Sequence, residues 1–416
     1  MIRRVTEHGA YSNLALRGQI RRARLGHQDA DLVTELVYGT LRRLPAIDHA
    51  LAPLLRKPLT KAPPTARAAL RLGAYQLLHT RVPDHAAVSE TVALVGASER
   101  GFVNAVLRRL AASGPRAVTG GAIDRLAIRS GLAPWAVREL RRQLGDQAEE
   151  AAMAFASPAP TTIRLNPCRS DASEIERRLG DAGISFERGR LHERTLRLAS
   201  GVAPQRVPGF DDGWMTAQDE SSAWVVDVLD PQPGERVADL CAGPGGKASD
   251  IACRAGGVLA ADAGEGRVRL VAETVERLGV SARLLVQDAA RPALRPGSFD
   301  RVLVDAPCSG IGAARRRPEL LWRPRREDVP ALARLQTRIL VGAAALLRPG
   351  GVLVYSVCTF PAAETDAVCE ALLRRVPELR PDPFDGPDGP AARARLWPHR
   401  HGTDGMFVAR FAHRGA

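Results

Sequence analysis

No apolar run in the sequence approaches the roughly 18 residues needed to cross a bilayer, and no hydrophobic stretch follows the basic start. A membrane-embedded chain is therefore not expected, and the cytoplasm is the expected compartment. The six cysteines, Cys168, Cys241, Cys253, Cys308, Cys358 and Cys369, include no CxxC pair. This spacing argues against both a disulfide framework and a zinc site, so reduced thiols and no metal are expected. Lysine is nearly absent: Lys57, Lys61 and Lys247 stand against 56 arginines. Internal repeats and long low-complexity tracts are also missing.

The 416 residues have room for two or three domains. The net charge of +13 is unevenly spread. Residues 1–120 hold 18 basic and 8 acidic residues, and "RRRPELLWRPRR", residues 315–326, holds six arginines, one glutamate and Trp322. A basic domain plus a basic, aromatic-bearing loop suits a phosphate-rich partner, because such charge attracts a polyanion and releases its counterions.

The apolar pattern changes along the chain. In residues 1–120, Val33, Leu36, Val37, Leu41 and Leu44 recur at helical spacing, as do Val103, Val106, Leu107 and Leu110, which predicts an all-α domain. Residues 121–210 begin with a helix-like "PWAVRELRRQLGDQAEEAAMAF". The strand-like "TTIRL" and "TLRLA" then flank a helical "DASEIERRLGDAG", giving a small α+β module. Residues 211–416 alternate strands and helices: "RVADLCA", "GVLAAD", "RLLVQD", "RVLVDAPC", "GVLVYSVC" and "MFVARFA". That alternation predicts an α/β Rossmann-like parallel sheet with its site at the carboxyl ends of the strands. Asp239, Asp262, Asp288, Asp305, Cys308 and Cys358 all fall at or just beyond such ends.

"DLCAGPGGKASD" follows a strand and opens a helix. Its glycines admit close approach of a ligand, and a helix N-terminus offers free N–H groups. Gly243, Gly245 and Ala248 formally satisfy GxGxxG/A, which alone is a weak signal. A Walker phosphate loop fails, because Cys241 stands where its first glycine belongs and Ala248 where its Ser/Thr belongs. Asp262, past the second strand, is placed to accept hydrogen bonds from ribose hydroxyls, which NAD and S-adenosylmethionine share. Two thiols at one pocket have no use in a dehydrogenase, whereas methyl transfer to a pyrimidine uses both. Carbon 5 of cytosine becomes nucleophilic once a thiolate adds to carbon 6. An acid beside ring nitrogen 3, here Asp305, then supplies a proton or hydrogen bond. After transfer a base removes the carbon 5 proton. One thiol can attack and the other assist departure; spacing leaves open which.

"DLCAGPGGKAS", "VLAADAGEGRV", "VQDAAR", "DAPCSGIGAARRRPELLW", "VYSVCTF" and "HGTDGMFVARF" together resemble the RNA 5-methylcytosine methyltransferases. With the helical N-terminus and "GFVNAVLRRL", the chain is similar to the small-subunit rRNA members of the Sun/Fmu family, which carry an N-terminal NusB-like domain. The resemblance implies a NusB-like RNA-binding domain at 1–120, a small RNA-binding module at 121–210 and a class I methyltransferase domain at 211–416. It implies Cys358 as the nucleophile, Cys308 as the thiol that assists release and Asp305 as the acid. It further implies S-adenosylmethionine held by Cys241, Ala242, Gly243, Pro244, Gly245, Gly246, Lys247, Asp262, Asp288 and Asp305. The implied substrate is a cytosine of 16S rRNA, free or in a small-subunit assembly intermediate, with Arg164, Arg169, Arg315, Arg316 and Arg317 against the RNA. A tRNA-directed enzyme and a non-catalytic assembly protein are the alternatives. The chain departs from the family's usual residues at Val357, Thr359 and Thr365.

Overall fold

The structure is a computed structural model describing residues 1–199 and 202–415, and it divides into two compact units. One unit comprises Met1–Pro158 together with Ala314–Pro324, and the other Ala159–Ala313 with the chain from Arg325 onward.

The first unit is helical. Its core gathers Ile47, Leu51, Leu70, Ala74, Val103, Val106, Leu107 and Leu110, the last four from the stripe read in the sequence, all with no exposed surface. The helices Pro64–His79 and Ala97–Ser113 meet at Gly73, where a Cβ would lie 2.5 Å from a Leu107 methyl. The single helix expected at 134–155 is two, Pro134–Leu144 and Ala148–Phe155, because Gly145 turns the backbone to φ +54°.

The basic "RRRPELLWRPRR" stretch is largely built into this unit. Leu320, Leu321 and fully buried Glu319 anchor it, with Glu319 accepting from the Ser12 N–H at 3.2 Å and the Ser12 hydroxyl at 2.6 Å. Trp322 Nε1 donates to the Leu41 carbonyl at 2.9 Å, and Arg323 donates to the carbonyls of Val5, Gly9 and Ala10. Arg315, expected against RNA, is 9% exposed and donates to the Pro158 carbonyl, while Arg317 stacks on Tyr11 at 4.4 Å. Arg315 is engaged in packing the helical unit, a correction to its expected role, whereas Arg317 stays partly exposed.

In the second unit, β1 (Thr161–Leu165), β2 (Phe186–Arg188), β3 (Thr195–Leu198) and β4 (Met215–Ala217) form an antiparallel sheet in the order β2-β3-β1-β4. The helix Ala172–Asp181 packs Ile175 and Leu179 on it, and Asp171 caps that helix by accepting from the Ser173 N–H. The larger sheet takes β5 (Val237–Asp239), β6 (Val258–Asp262), β7 (Ala282–Val286), β8 (Phe299–Asp305), β9 (Leu347–Val357) and β10 (Leu379–Pro381). The short strands β11 (Phe384–Gly386) and β12 (Gly389–Ala391) pair only with each other, and β13 (Arg393–Leu396) pairs with β14 (Met406–His413). The main order is β10-β14-β9-β8-β5-β6-β7. Strands β5 to β9 are parallel as predicted; β14 pairs antiparallel with both β9 and β10, so the sheet is mixed. The difference arises after β9, where the chain passes through the helix Asp366–Arg375 and the strands β10 to β13 before β14 runs back beside β9. No helix among the described residues is long and apolar enough to cross a membrane.

Two expectations for "RLNPCR" are corrected. Arg164, expected to clamp RNA, has a side chain 1% exposed and ion-pairs with Asp250 at 3.1 Å. It also donates to Gln218 at 2.6 Å, Ser249 at 2.9 Å and the Gly246 carbonyl at 3.2 Å. A guanidinium at that depth is reached by no polyanion; it joins β1 to the start of the helix Gly246–Ala255. Cys168 and Cys253, expected as separate reduced thiols, form a disulfide with Cα atoms 6.1 Å apart. The small sheet brings the residues after β1 onto the end of that helix, which an 85-residue separation does not signal. Arg169 is exposed, with Nε 3.4 Å from the Leu278 carbonyl.

Asp250 is fully buried among Arg164, Arg194 and Arg254. Burial works to raise its pKa, but the three guanidiniums prevail and lower it to about 2. Asp250→Asn leaves Arg164 buried without its counter-charge, at an expected cost of about 3–5 kcal/mol. Urea denaturation followed by fluorescence should show a clearly lower midpoint, and an unchanged midpoint would remove the cluster from the account.

Candidate functional site

The site forms where β5, β8 and β9 end. β8 and β9 pair in register with Asp305 opposite Ser356, and β5 pairs with β8 on its other side. Parallel strands in that register deliver their last residues to one edge of the sheet. Asp305, the loop after it and the residues after β9 therefore converge.

The convergence brings Cys308 Sγ and Cys358 Sγ to 3.6 Å, although 50 residues separate them. The Gly312 N–H donates to the Cys358 carbonyl at 2.9 Å. The geometry forbids a side chain at residue 312, since a Cβ there would lie 2.1 Å from the Gly405 carbonyl oxygen. The Asp305 carboxylate is held from two sides. Ser356 Oγ donates to Oδ1 and Lys247 Nζ to Oδ2, each at 2.7 Å. Lys247 was expected at the cofactor, and its ammonium is here an ion-pair partner of the acid. Ser356 was missed; its signal was its position two residues before Cys358, on the strand opposite Asp305.

Burial works to lower the Lys247 pKa, but Asp305 and then Asp239 outweigh it and raise it, so the ammonium stays charged at neutral pH. The Cys308 thiol is raised by its hydrogen bond with Cys358, then by burial, then by the nearby charges including Glu364 and Asp305. Cys241 is likewise raised, by burial and then Asp239, which suits a wall of the loop rather than a nucleophile. Cys369 is buried and pushed up to about 12 by that burial.

The loop 241–247 turns closely at glycines that leave no space for side chains. Gly245 holds φ +106° and precedes the helix Gly246–Ala255, and a Cβ at Gly243 would lie 2.8 Å from Asp262 Oδ2. Asp262 accepts from the Gly243 N–H at 3.1 Å, the Gly264 N–H at 3.2 Å and Arg267 Nε at 2.8 Å. Its carboxylate is 8% exposed whereas Arg267 is 58% exposed, so the guanidinium lies at the surface over the carboxylate. Asp288 is exposed just past β7, with Oδ1 accepting from the Ala290 N–H. A glycine-lined turn, a helix N-terminus and two strand-end carboxylates fit an adenosine-bearing cofactor.

The chain as a whole matches known proteins. The model for "16S rRNA methyltransferase RsmB/F" covers residues 226–412, the NusB family model residues 1–112, and a ferredoxin-like domain of RsmF/B-like methyltransferases residues 133–205. A probable ribosomal RNA small subunit methyltransferase B of Bacillus subtilis is 35% identical, over 99% of this chain and 97% of its own. The chain belongs to the RsmB/F family of 16S rRNA methyltransferases. Ribosomal RNA small subunit methyltransferase B of Serratia proteamaculans is also 35% identical, over 93% of this chain and 91% of its own. Among solved structures, PH0851 superposes with TM-score 0.86 at 25% identity, over 99% of this chain and 96% of its own. A methyltransferase homolog from Pyrococcus horikoshii gives 0.61 at 27% identity, over 71% of this chain and all of its own. The RsmB/F chain thus carries a NusB-like helical domain, a small ferredoxin-like domain and an S-adenosylmethionine-dependent methyltransferase domain with a mixed sheet.

Asp239 closes β5 beneath this site, 1% exposed, with its pKa raised to about 7 by burial and then by Asp305. An unfolded aspartate titrates near ~3.9. Between about pH 4 and 7 the folded chain holds a proton that the unfolded chain releases, so Asp239 makes stability fall as pH rises through that window. Asp239→Asn should raise the thermal midpoint at pH 8 relative to wild type, with the gap narrowing at pH 5. A gap independent of pH would contradict this.

Proposed function

We propose that this RsmB/F chain transfers a methyl group to carbon 5 of a cytosine in 16S rRNA through a covalent bond between Cys358 and carbon 6 of the base. The reading is carried by one observation: two thiols 3.6 Å apart beside the Lys247–Asp305 pair. S-adenosylmethionine, when bound, supplies an electrophilic methyl group. The residues proposed to hold it are the loop from Cys241 through Lys247 with Asp262, Asp288 and Asp305.

The protein's own groups divide the work. The Cys358 thiolate adds to carbon 6, and the negative charge that develops on the ring meets the Lys247 ammonium, which the Asp305 carboxylate holds in place. Once carbon 5 is methylated, Cys308, having given up its own proton to solvent, takes the carbon 5 proton as a thiolate, the double bond re-forms and Cys358 leaves as a thiolate. A Cys308 whose pKa is raised binds that proton firmly and is a weak competitor for the attack.

The RNA substrate is supported by the matched family, the NusB-like domain and the +10 carried by residues 1–120. 16S rRNA or a small-subunit assembly intermediate is the proposed partner. Arg169, Arg316 and Arg317 remain candidates for its backbone, whereas the buried Arg164 and Arg315 do not.

Incubating wild type, Cys308→Ala and Cys358→Ala with 16S rRNA and methyl-labelled S-adenosylmethionine tests the assignment on a denaturing gel. Cys308→Ala should accumulate a protein–RNA adduct and Cys358→Ala should form none. The reverse pattern would make Cys308 the nucleophile. A wild type that neither methylates nor links to RNA that it binds would favour a non-catalytic assembly role.

A further inference from the structure

We propose that Glu364 is a positioning residue that clamps the loops of Cys308 and Cys358 together and so fixes the spacing of the two thiols; this rests on the two-thiol reading above. Glu364 ends a 3-10 turn, Ala362–Glu364, six residues beyond Cys358, and none of its surface is exposed. Its Oε1 accepts from the Ser309 N–H at 2.9 Å and from Gln336 Nε2 at 3.0 Å, and its Oε2 accepts from the Ser309 hydroxyl at 2.6 Å. Ser309 Oγ in turn stands 2.6 Å from Thr359 Oγ1. A single carboxylate therefore holds the residue after Cys308 directly and the residue after Cys358 through one hydroxyl.

Gln336 and Tyr355 complete the clamp. Gln336 Nε2 also donates to the Pro307 carbonyl at 2.9 Å, so both neighbours of Cys308 are fixed to the same carboxylate and its amide partner. The Tyr355 hydroxyl, from β9, donates to the Glu364 carbonyl at 2.6 Å and lies 3.2 Å from Gln336 Oε1. Gln336, Tyr355 and Glu364 are all 0% exposed, and no cation pairs with Glu364 among the described residues. A buried carboxylate satisfied only by neutral donors is a costly way to stabilise a fold. A fully satisfied polar network does, however, specify one geometry, which an apolar filling does not. The geometry specified here is the separation of the two sulfurs.

The test compares wild type, Glu364→Gln, Glu364→Asp and Ser309→Ala. Four quantities are read: kcat and KM for methyl transfer to 16S rRNA, affinity for S-adenosylmethionine, and the rate at which diamide joins Cys308 to Cys358. In the last reaction the two thiols give up two hydrogens, a disulfide forms and diamide is reduced to the hydrazine; peptide mass spectrometry maps the bond. Glu364→Asp, too short to reach both loops, should lose about 100-fold in kcat, the order expected for a misplacement of about 1 Å. The KM for 16S rRNA and the cofactor affinity should stay unchanged, and the thiol-joining rate should fall with kcat. Glu364→Gln keeps the reach and should retain more of both than Glu364→Asp. Ser309→Ala removes only one hydroxyl and should move in the same direction, which keeps the question open to test if a Glu364 variant does not fold. Unchanged kcat and unchanged thiol joining in Ser309→Ala and Glu364→Asp would overturn the clamp. Thiol joining needs no RNA, so a wild type whose joining depends on Glu364 but which makes no 5-methylcytosine upholds the clamp and overturns the proposed reaction.

Discussion

The parallel register of β8 against β9, with Asp305 opposite Ser356, is the constraint on which the site depends. One step of slippage would turn Ser356 to the other face of the sheet and take its hydroxyl from Asp305. The apolar faces of these strands prevent that step. Val302, Val304, Leu353, Tyr355 and Val357 are all fully buried in one cluster. Packing thus sets the register, the register sets the positions of the acid and the two loops, and polar contacts set the finer spacing of the thiols.

The same division holds where the small sheet joins the methyltransferase sheet. Arg164 reaches from β1 to Asp250 and to the Gly246 carbonyl, the first residue of the helix that follows the cofactor loop. Arg194 and Arg254 crowd the same carboxylate, and the Cys168–Cys253 disulfide lies at the far end of that helix. The small module therefore fixes one end of the candidate cofactor loop, in addition to any part it plays with RNA. An exchange of Arg164 for Lys would lose the fan of donors that a guanidinium offers to Asp250, Gln218, Ser249 and Gly246 together.

The sequence made the strand-end chemistry legible because a buried parallel strand ends in recognisable residues. Asp239, Asp262, Asp305, Cys308 and Cys358 were all found at such ends, and the helical stripe from Val103 to Leu110 was found by its period. Charge was a poorer guide than packing. Six arginines made 315–326 look like an RNA-facing loop, yet Leu320, Leu321 and Trp322 anchor it by packing into the helical unit. Arg164 read as a clamp because nothing local marks a buried arginine; its partner Asp250 lies 86 residues away on another element. The disulfide, the Lys247–Asp305 pair and the Glu364 clamp are illegible for the same reason, since each joins residues whose meeting depends on the completed sheet. The direction of β14 is not written in an apolar run either, because parallel and antiparallel strands can share the same pattern.

The claim that carbon 5 of a cytosine accepts the methyl group is tested most directly with 16S rRNA carrying tritium at carbon 5 of its cytosines, incubated with the enzyme and S-adenosylmethionine. The account requires one tritium released to water for each methyl group transferred, because the carbon 5 hydrogen must leave before the Cys358 bond can break. Methyl transfer without tritium release would place the methyl on a ring nitrogen or a ribose oxygen and would contradict the account.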